Sequence, residues 1–96
     1  MVRYPGLADD PAYPVAAAQM RRFGGLVSVE LPDVAAVEAL AERSELLTAA
    51  TSFGGVHTSV DRRARWGDSV PESFVRISLG IEDTDDVLAD MLRALG

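Results

Sequence analysis

The apolar period of this sequence changes abruptly at one point near its C-terminal end. From Phe74 to Leu79 the residues alternate, with Val75, Ile77 and Leu79 on one side and Phe74, Arg76 and Ser78 on the other. That is the period-2 pattern of a strand with one buried face. Gly80 breaks the run. Asp83 and Thr84 are N-cap residues, and Asp86 stands three positions after Asp83, much as in a capping box. Val87, Leu88, Met91, Leu92 and Leu95 then share one helical stripe. The segment therefore predicts strand, tight turn and helix, and any fold for the chain must accommodate that unit. One arginine, Arg76, sits in the middle of the strand. A cation on a rigid strand can hold a carboxylate through two parallel hydrogen bonds. The plainer reading is an arginine on the wet face of a half-buried strand.

The rest of the chain supplies partners for this unit. Met1 to Pro14 reads as extended or looped, because Pro5, Pro11 and Pro14 interrupt any helix and Pro5-Gly6 is a turn signal. Val15 to Arg22 is rich in helix formers and follows a proline suited to a first helical turn. Phe23-Gly24-Gly25 ends that helix. Leu26 to Leu31 alternates as a strand, with Val27, Val29 and Leu31 opposite Leu26, Ser28 and Glu30. Pro32 stops it. Asp33 caps a helix marked by Val34, Val37, Leu40 and Ala41 and running to about Arg43. Leu46 to Ala50 reads as a short strand and Thr51 to Gly55 as a turn. Val56 to Val60, alternating and β-branched, reads as another strand. Asp61 to Ser73 is polar and reads as a loop with room for one helical turn. Strands and helices mix without a strict βαβ rhythm. The expectation is one α+β domain over residues 1–96, with an antiparallel-rich sheet of about four strands and helices on one face.

Charge and composition narrow the function. The net charge is -6, which leaves no basic stripe for a phosphate backbone or an anionic membrane. Neither nucleic acid nor membrane is an expected partner. There is no cysteine, so there is no disulfide, thiolate metal site or cysteine nucleophile. No apolar run approaches bilayer length and the N-terminus lacks a signal-peptide core, so the expected location is cytoplasmic. All nine basic residues are arginine; without lysine, chemistry that needs a lysine amine is closed to these residues alone.

Four further constellations can be weighed. Ser52-Phe53-Gly54-Gly55 offers backbone N–H groups that could converge on an anion beside the Ser52 hydroxyl, although a plain hairpin turn is the preferred account. His57, the only histidine, has no cysteine to serve as a base and reads as structural or solvated. Arg62-Arg63-Ala64-Arg65-Trp66 is basic and aromatic, but short in an acidic chain, and reads as a solvated loop. Glu82, Asp83, Asp85 and Asp86 gather before a helix N-terminus and read as capping groups, not metal ligands. No phosphate loop, dinucleotide fingerprint or metal-ligand spacing is present.

In combination these pieces resemble the C-terminal part of the Cys/Met-metabolism family of pyridoxal-phosphate enzymes, the family of cystathionine γ-lyase and cystathionine γ-synthase. The likeness starts at Val2-Arg3-Tyr4-Pro5-Gly6-Leu7. It continues through Ala18-Gln19-Met20 and Phe23-Gly24-Gly25 to Glu30-Leu31, and returns at Thr51-Ser52-Phe53-Gly54-Gly55-Val56, where Phe53 replaces the usual leucine. It is strongest over Phe74 to Asp83, and runs into the last helix through Asp86, Leu88, Ala89, Asp90 and Ala94-Leu95. His57 stands where the family commonly has glutamate, and the stretch from Asp61 to Ser73 is shorter than usual.

The resemblance implies the small C-terminal domain of a fold-type I enzyme. It implies that Arg76 grips the substrate α-carboxylate with the Ser52 region beside it. These residues would serve a C–S lyase or transferase of sulfur amino-acid metabolism acting in transsulfuration. The cofactor domain, with its Schiff-base lysine, is expected upstream of Met1 and is not in this chain. Pyridoxal phosphate is therefore expected to be held by that domain, leaving this chain inactive by itself and without catalytic, cofactor or metal residues of its own. Expected partners are a sulfur-containing amino-acid substrate, and either further copies in a homo-oligomer or the missing cofactor domain. The alternative is a non-catalytic remnant or interaction domain.

Overall fold

A computed structural model describes all 96 residues, Met1–Gly96. The unit at the C-terminal end forms as its pattern predicts: a strand at Phe74–Ser78 (β5) leads through the Gly80 turn into a helix at Thr84–Leu95 (α3). The Asp83 carboxylate caps α3 by accepting from the backbone N–H groups of Asp85 and Asp86. β5 lies inside a five-stranded sheet. The other strands are Val2–Arg3 (β1), Leu26–Glu30 (β2), Thr48–Ala49 (β3) and Ser59–Arg62 (β4), in the spatial order β1-β2-β5-β4-β3. The pairs β1–β2, β2–β5 and β4–β5 are antiparallel, whereas β3–β4 is parallel.

Register divides the sheet into two faces. Val29 and Val75 align in one cross-strand row, and Val27, Ile77 and Val60 in the next. These residues face the helices: Val60, Val75 and Ile77 cluster with Val37 and Leu40 of the helix at Val34–Arg43 (α2) and with Ala94 of α3. Burial of such side chains contributes roughly 25 cal/mol per Å² of apolar surface and is the main stabilising term. The opposite face carries the row Arg3, Ser28, Arg76 and Asp61 and the row Leu26, Ser78, Ser59 and Thr48. Its cover is loop, not helix.

The α+β class, the antiparallel-rich sheet and the helix-bearing face agree with the sequence reading, and α2 begins at its expected cap, with Asp33 accepting from the Ala36 N–H at 2.8 Å. Several details differ. β1 is a strand where a loop was expected, because two residues are too few to display alternation. The helix expected at Val15 to Arg22 spans Tyr13–Gln19 (α1). It starts earlier because Asp10 accepts from the Ala12 N–H, and Pro14 stands where a helix has no use for a donor. It stops earlier because the chain turns back to place Phe23 against Tyr4 and Tyr13, at ring separations of 6.5 and 6.0 Å.

β4 begins three residues later than expected. Val56 and Thr58 bond to the turn after β5, and Asp61 and Arg62 take up the ladder with β5. Thr51 to Gly55 is not a hairpin turn, because it belongs to a connection between parallel neighbours. On α3 the buried positions are Val87, Asp90 and Ala94, while Leu88, Leu92 and Leu95 are exposed. The apolar stripe read from the sequence is wider than the sheet can cover.

Asp90 is the unexpected core residue. Its carboxylate accepts from the Ser44 hydroxyl, the N–H groups of Glu45 and Leu46, and the Arg93 guanidinium. It thereby closes the C-terminal end of α2 against α3. A buried carboxylate is tolerated only when its lone pairs are satisfied in this way. The Ser44 hydroxyl and the Glu45 N–H, ahead of the other partners, hold its pKa well below the ordinary aspartate range. A depressed folded pKa gives stability that is fully present above the unfolded value and is lost as pH falls toward the folded one. The expected outcome is a thermal midpoint that drops on acidification below about pH 4. An Asp90→Asn chain should start lower and lose less over the same interval. Parallel pH curves for the two chains in calorimetry would contradict this role for Asp90.

Candidate substrate-carboxylate site

Arg76 lies at the middle of β5, on the loop-covered face. Of the nine arginines, only Arg62, Arg63 and Arg76 are part-buried. Arg62 pairs with Glu72, and Arg63 pairs with Asp61 and Asp68. Arg76 pairs with no carboxylate. Its guanidinium donates to the Thr51 carbonyl and stands 5.0 Å from the centre of the Phe53 ring. A cation over an aromatic face is attracted to it, and a guanidinium stacked in this way is held in orientation.

Ser52 lies between the two residues that Arg76 touches. Its side chain is exposed and makes no hydrogen bond within the chain, while its carbonyl accepts from the Ser59 hydroxyl at 3.4 Å. The structure thus brings the Ser52 segment to Arg76. The anion nest considered for Ser52 to Gly55 is partly consumed, because the Gly54 N–H donates to the Ser78 hydroxyl oxygen at 2.9 Å. Gly54 itself has a φ of 78°, a left-handed conformation that a side chain would strain.

Residues 51–58 are fastened along β5 and the turn that follows it. The Ile81 N–H donates to the Val56 carbonyl at 2.9 Å. The Thr58 N–H and hydroxyl donate to the two oxygens of Glu82 at 2.8 and 2.7 Å, and the Thr58 hydroxyl oxygen accepts from the Gly80 N–H at 3.0 Å. Glu82 is therefore a clasp and not a cap for α3, which corrects the reading of that acidic group. The Thr58 N–H, then the Thr58 hydroxyl, hold the Glu82 pKa below the ordinary carboxylate range. His57 is exposed beside this clasp and belongs to no cluster of three or more metal-ligating side chains.

The helical turn for which the loop after Asp61 had room is present, but the basic-aromatic run read as solvated is tied to Asp61. Arg63–Trp66 forms a 3-10 turn, and the buried Asp61 accepts from Arg63 at 2.8 Å and from the Trp66 indole at 3.1 Å. Arg65 stands 3.7 Å from the same carboxylate and stacks over the Trp66 ring. Sequence reasoning missed Asp61, Thr58 and Ser78. For Ser78 the signal was its place on an otherwise largely apolar strand, where a small polar group implies a dedicated partner; Thr58 and Asp61 carried no such signal.

The sequence model described as "Cys/Met metabolism PLP-dependent enzyme" matches residues 1–96. A protein of Streptomyces coelicolor named for cystathionine gamma-lyase is 53% identical over 95 residues, covering 98% of this chain and 24% of its own length. The methionine gamma lyase from Micromonospora echinospora superposes with a TM-score of 0.90 at 41% identity, over 100% of this chain and 26% of that one. The cystathionine gamma synthase from Xanthomonas oryzae, crystallised in complex with aminoacrylate and cysteine, gives 0.90 at 33% identity, over 99% and 28%. The fold is that of a segment of fold-type I pyridoxal-phosphate enzymes. The chain belongs to the Cys/Met metabolism PLP-dependent enzyme family, as the sequence resemblance implied. It spans about a quarter of the length of the curated relatives it matches.

The residues present do not fit covalent attachment of pyridoxal phosphate. That bond requires a lysine amine, and there is none among the 96 residues. The chain's own cationic groups are guanidiniums, which can pair with a carboxylate but do not replace that amine.

Gly80 is the tightest point of the site. A Cβ there would lie 2.2 Å from the Val56 carbonyl oxygen and 2.6 Å from a Glu82 oxygen. Gly80→Ala is expected to cost about 1–3 kcal/mol, an overpacking penalty taken against backbone. It should also speed amide exchange at Thr58 and Ile81 more than at Val75. Unchanged urea unfolding and unchanged exchange would show that the loop is not clamped through this turn.

Proposed function

We propose that this chain is the substrate-carboxylate-binding domain of a pyridoxal-phosphate-dependent C–S lyase or transferase of sulfur amino-acid metabolism, of the cystathionine γ-lyase or γ-synthase kind. The observation that carries this reading is the state of Arg76: part-buried on an inner strand, stacked on Phe53 beside Ser52, and free of any carboxylate of its own chain. An amino-acid carboxylate supplies the partner that it lacks. Two of its donors can meet the two carboxylate oxygens while the Thr51 carbonyl and the Phe53 ring fix the plane. The exposed Ser52 hydroxyl is available for a further hydrogen bond. The amino-acid ligands of the Xanthomonas oryzae enzyme, aminoacrylate and cysteine, each carry such a carboxylate.

In this reading the domain binds and orients, and the lysine and cofactor are contributed by other residues of the enzyme, in a cytoplasmic setting. Pyridoxal phosphate supplies an electron sink when bound in the whole enzyme. Exposed Ile81, Leu88 and Leu92 give the domain apolar surface with which to meet the cofactor-bearing part or another copy. The 96 residues by themselves are expected to give no saturable binding of pyridoxal phosphate and no turnover of cystathionine. Keto-acid release by the purified chain would overturn that expectation. In the intact enzyme, Arg76→Lys keeps the charge but loses the two-pronged geometry. It should raise KM about tenfold or more, the worth of one charge-assisted hydrogen bond. Arg76→Ala should do worse at similar stability. An Arg76→Ala enzyme with unchanged kcat/KM would remove the carboxylate reading.

A further inference from the structure

Asp61 and Arg76 are direct cross-strand partners in the antiparallel pair β4–β5. Residues so placed share one face of the sheet, a few ångströms apart, and opposite charges at such positions ordinarily pair. These two do not. Asp61 is 3% exposed, and both of its oxygens are turned the other way: one accepts from Arg63, the other from the Trp66 indole with Arg65 beside it. Arg63 is itself held from behind by Asp68 at 2.7 Å. Its pKa is raised by Asp68 first and Asp61 second, so it stays a cation under all ordinary conditions. The other in-register neighbour of Arg76, Ser28, carries no charge.

We infer that Arg63, together with Trp66 and Arg65, is a positioning residue that withholds the Asp61 carboxylate from Arg76 and thereby keeps the Arg76 guanidinium open to an outside carboxylate. The inference rests on the proposed role of Arg76 but concerns a separate fact, namely which groups Arg76 pairs with when no substrate is bound. A buried aspartate beside a carboxylate-binding arginine would otherwise be self-defeating. Left free, it would occupy the guanidinium from within the chain and would repel an incoming carboxylate as well. Satisfying both of its oxygens with two donors on the adjoining turn, with the Arg65 cation 3.7 Å away, removes the competition and offsets the repulsion with positive charge. The sequence carries this as one contiguous run, Asp61 to Asp68, in which the aspartate that needs restraint is followed at once by the residues that restrain it.

The test follows the Nε–Hε resonance of Arg76 in the isotopically labelled chain. Asp61→Asn alone should leave that signal in place, because Asp61 does not bond to Arg76. Arg63→Gln should shift it downfield as the released Asp61 captures the guanidinium, and should slow modification of Arg76 by phenylglyoxal several-fold. Arg63→Gln with Asp61→Asn should restore both readings, a rescue that simple loss of structure would not give. Where Arg63→Gln does not fold, Trp66→Phe frees one Asp61 oxygen and should produce a smaller shift of the same sign. A shift of the Arg76 signal on Asp61→Asn alone overturns the inference, as does no shift in either releasing variant. A crystal structure of the unaltered chain with Asp61 within about 4 Å of the Arg76 guanidinium would do the same. None of these readings depends on turnover, so a failure here is distinct from failure of Arg76 to bind substrate.

Discussion

Everything in this molecule depends on the fact that β5 has two different faces. Val75 and Ile77 turn toward α2 and α3 and are almost wholly buried. Arg76 and Ser78, one residue out of phase, turn toward a loop. Because side chains alternate with a period of two, a slip of one residue in the register of β5 would drive a guanidinium into the apolar core and expose two aliphatic residues. Pairing with β2 on one side and β4 on the other fixes that register twice. The site is therefore specified by the same pairing that builds the core.

Around β5, polar groups are buried only where they are fully engaged. Ser78 receives the Gly54 N–H, Thr58 bonds to both Gly80 and Glu82, Asp61 closes its own turn, and Asp90 closes the end of α2. No buried side-chain nitrogen or oxygen is left without a partner. A partly satisfied network would cost more than an apolar core of the same shape. The charged centres are consequently structural, with one exception in Arg76. Its nearest in-register acid is already committed elsewhere, which makes an arginine that looks ordinary in sequence unusual in its surroundings.

The legible parts of the sequence were those with a long period. The alternation of β5 and β2 and the capped, periodic run of α2 survive in the structure nearly residue for residue. A two-residue element shows no period: β1 was read as loop and exists because an edge was available to pair with, whereas β3 fell inside the short strand expected at Leu46 to Ala50. The start of β4 was misplaced because Val56 to Thr58 has strand composition, yet its backbone groups are claimed by the turn at Gly80 to Glu82. Arg76 stood out as a cation in a strand, and Ser52 stood beside a possible anion nest and gained its substrate role through family likeness. The acids that serve as anchors, Asp61, Glu82 and Asp90, were invisible because composition assigns aspartate and glutamate to the surface or to helix caps. Only three-dimensional neighbours show which of them are enclosed.

The loop 51–58 is tied down mostly through its main chain, with the Thr58 hydroxyl as the main side-chain anchor. Its carbonyls at Thr51 and Val56 and its N–H groups at Gly54 and Thr58 are gripped by the Arg76, Ser78 and Glu82 side chains and, at Val56, by the Ile81 N–H, and the Thr58 hydroxyl adds a bond to Glu82 and accepts one from the Gly80 N–H. Anchoring and display are thus assigned to different atoms. Ser52, Val56 and His57 project from a fixed backbone with no side-chain hydrogen bond fixing it, and Phe53 adds only its stacking against Arg76. A lineage can therefore exchange Val56 and His57, and with them the chemical character of the surface beside the carboxylate site, while the frame that presents them stays as it is.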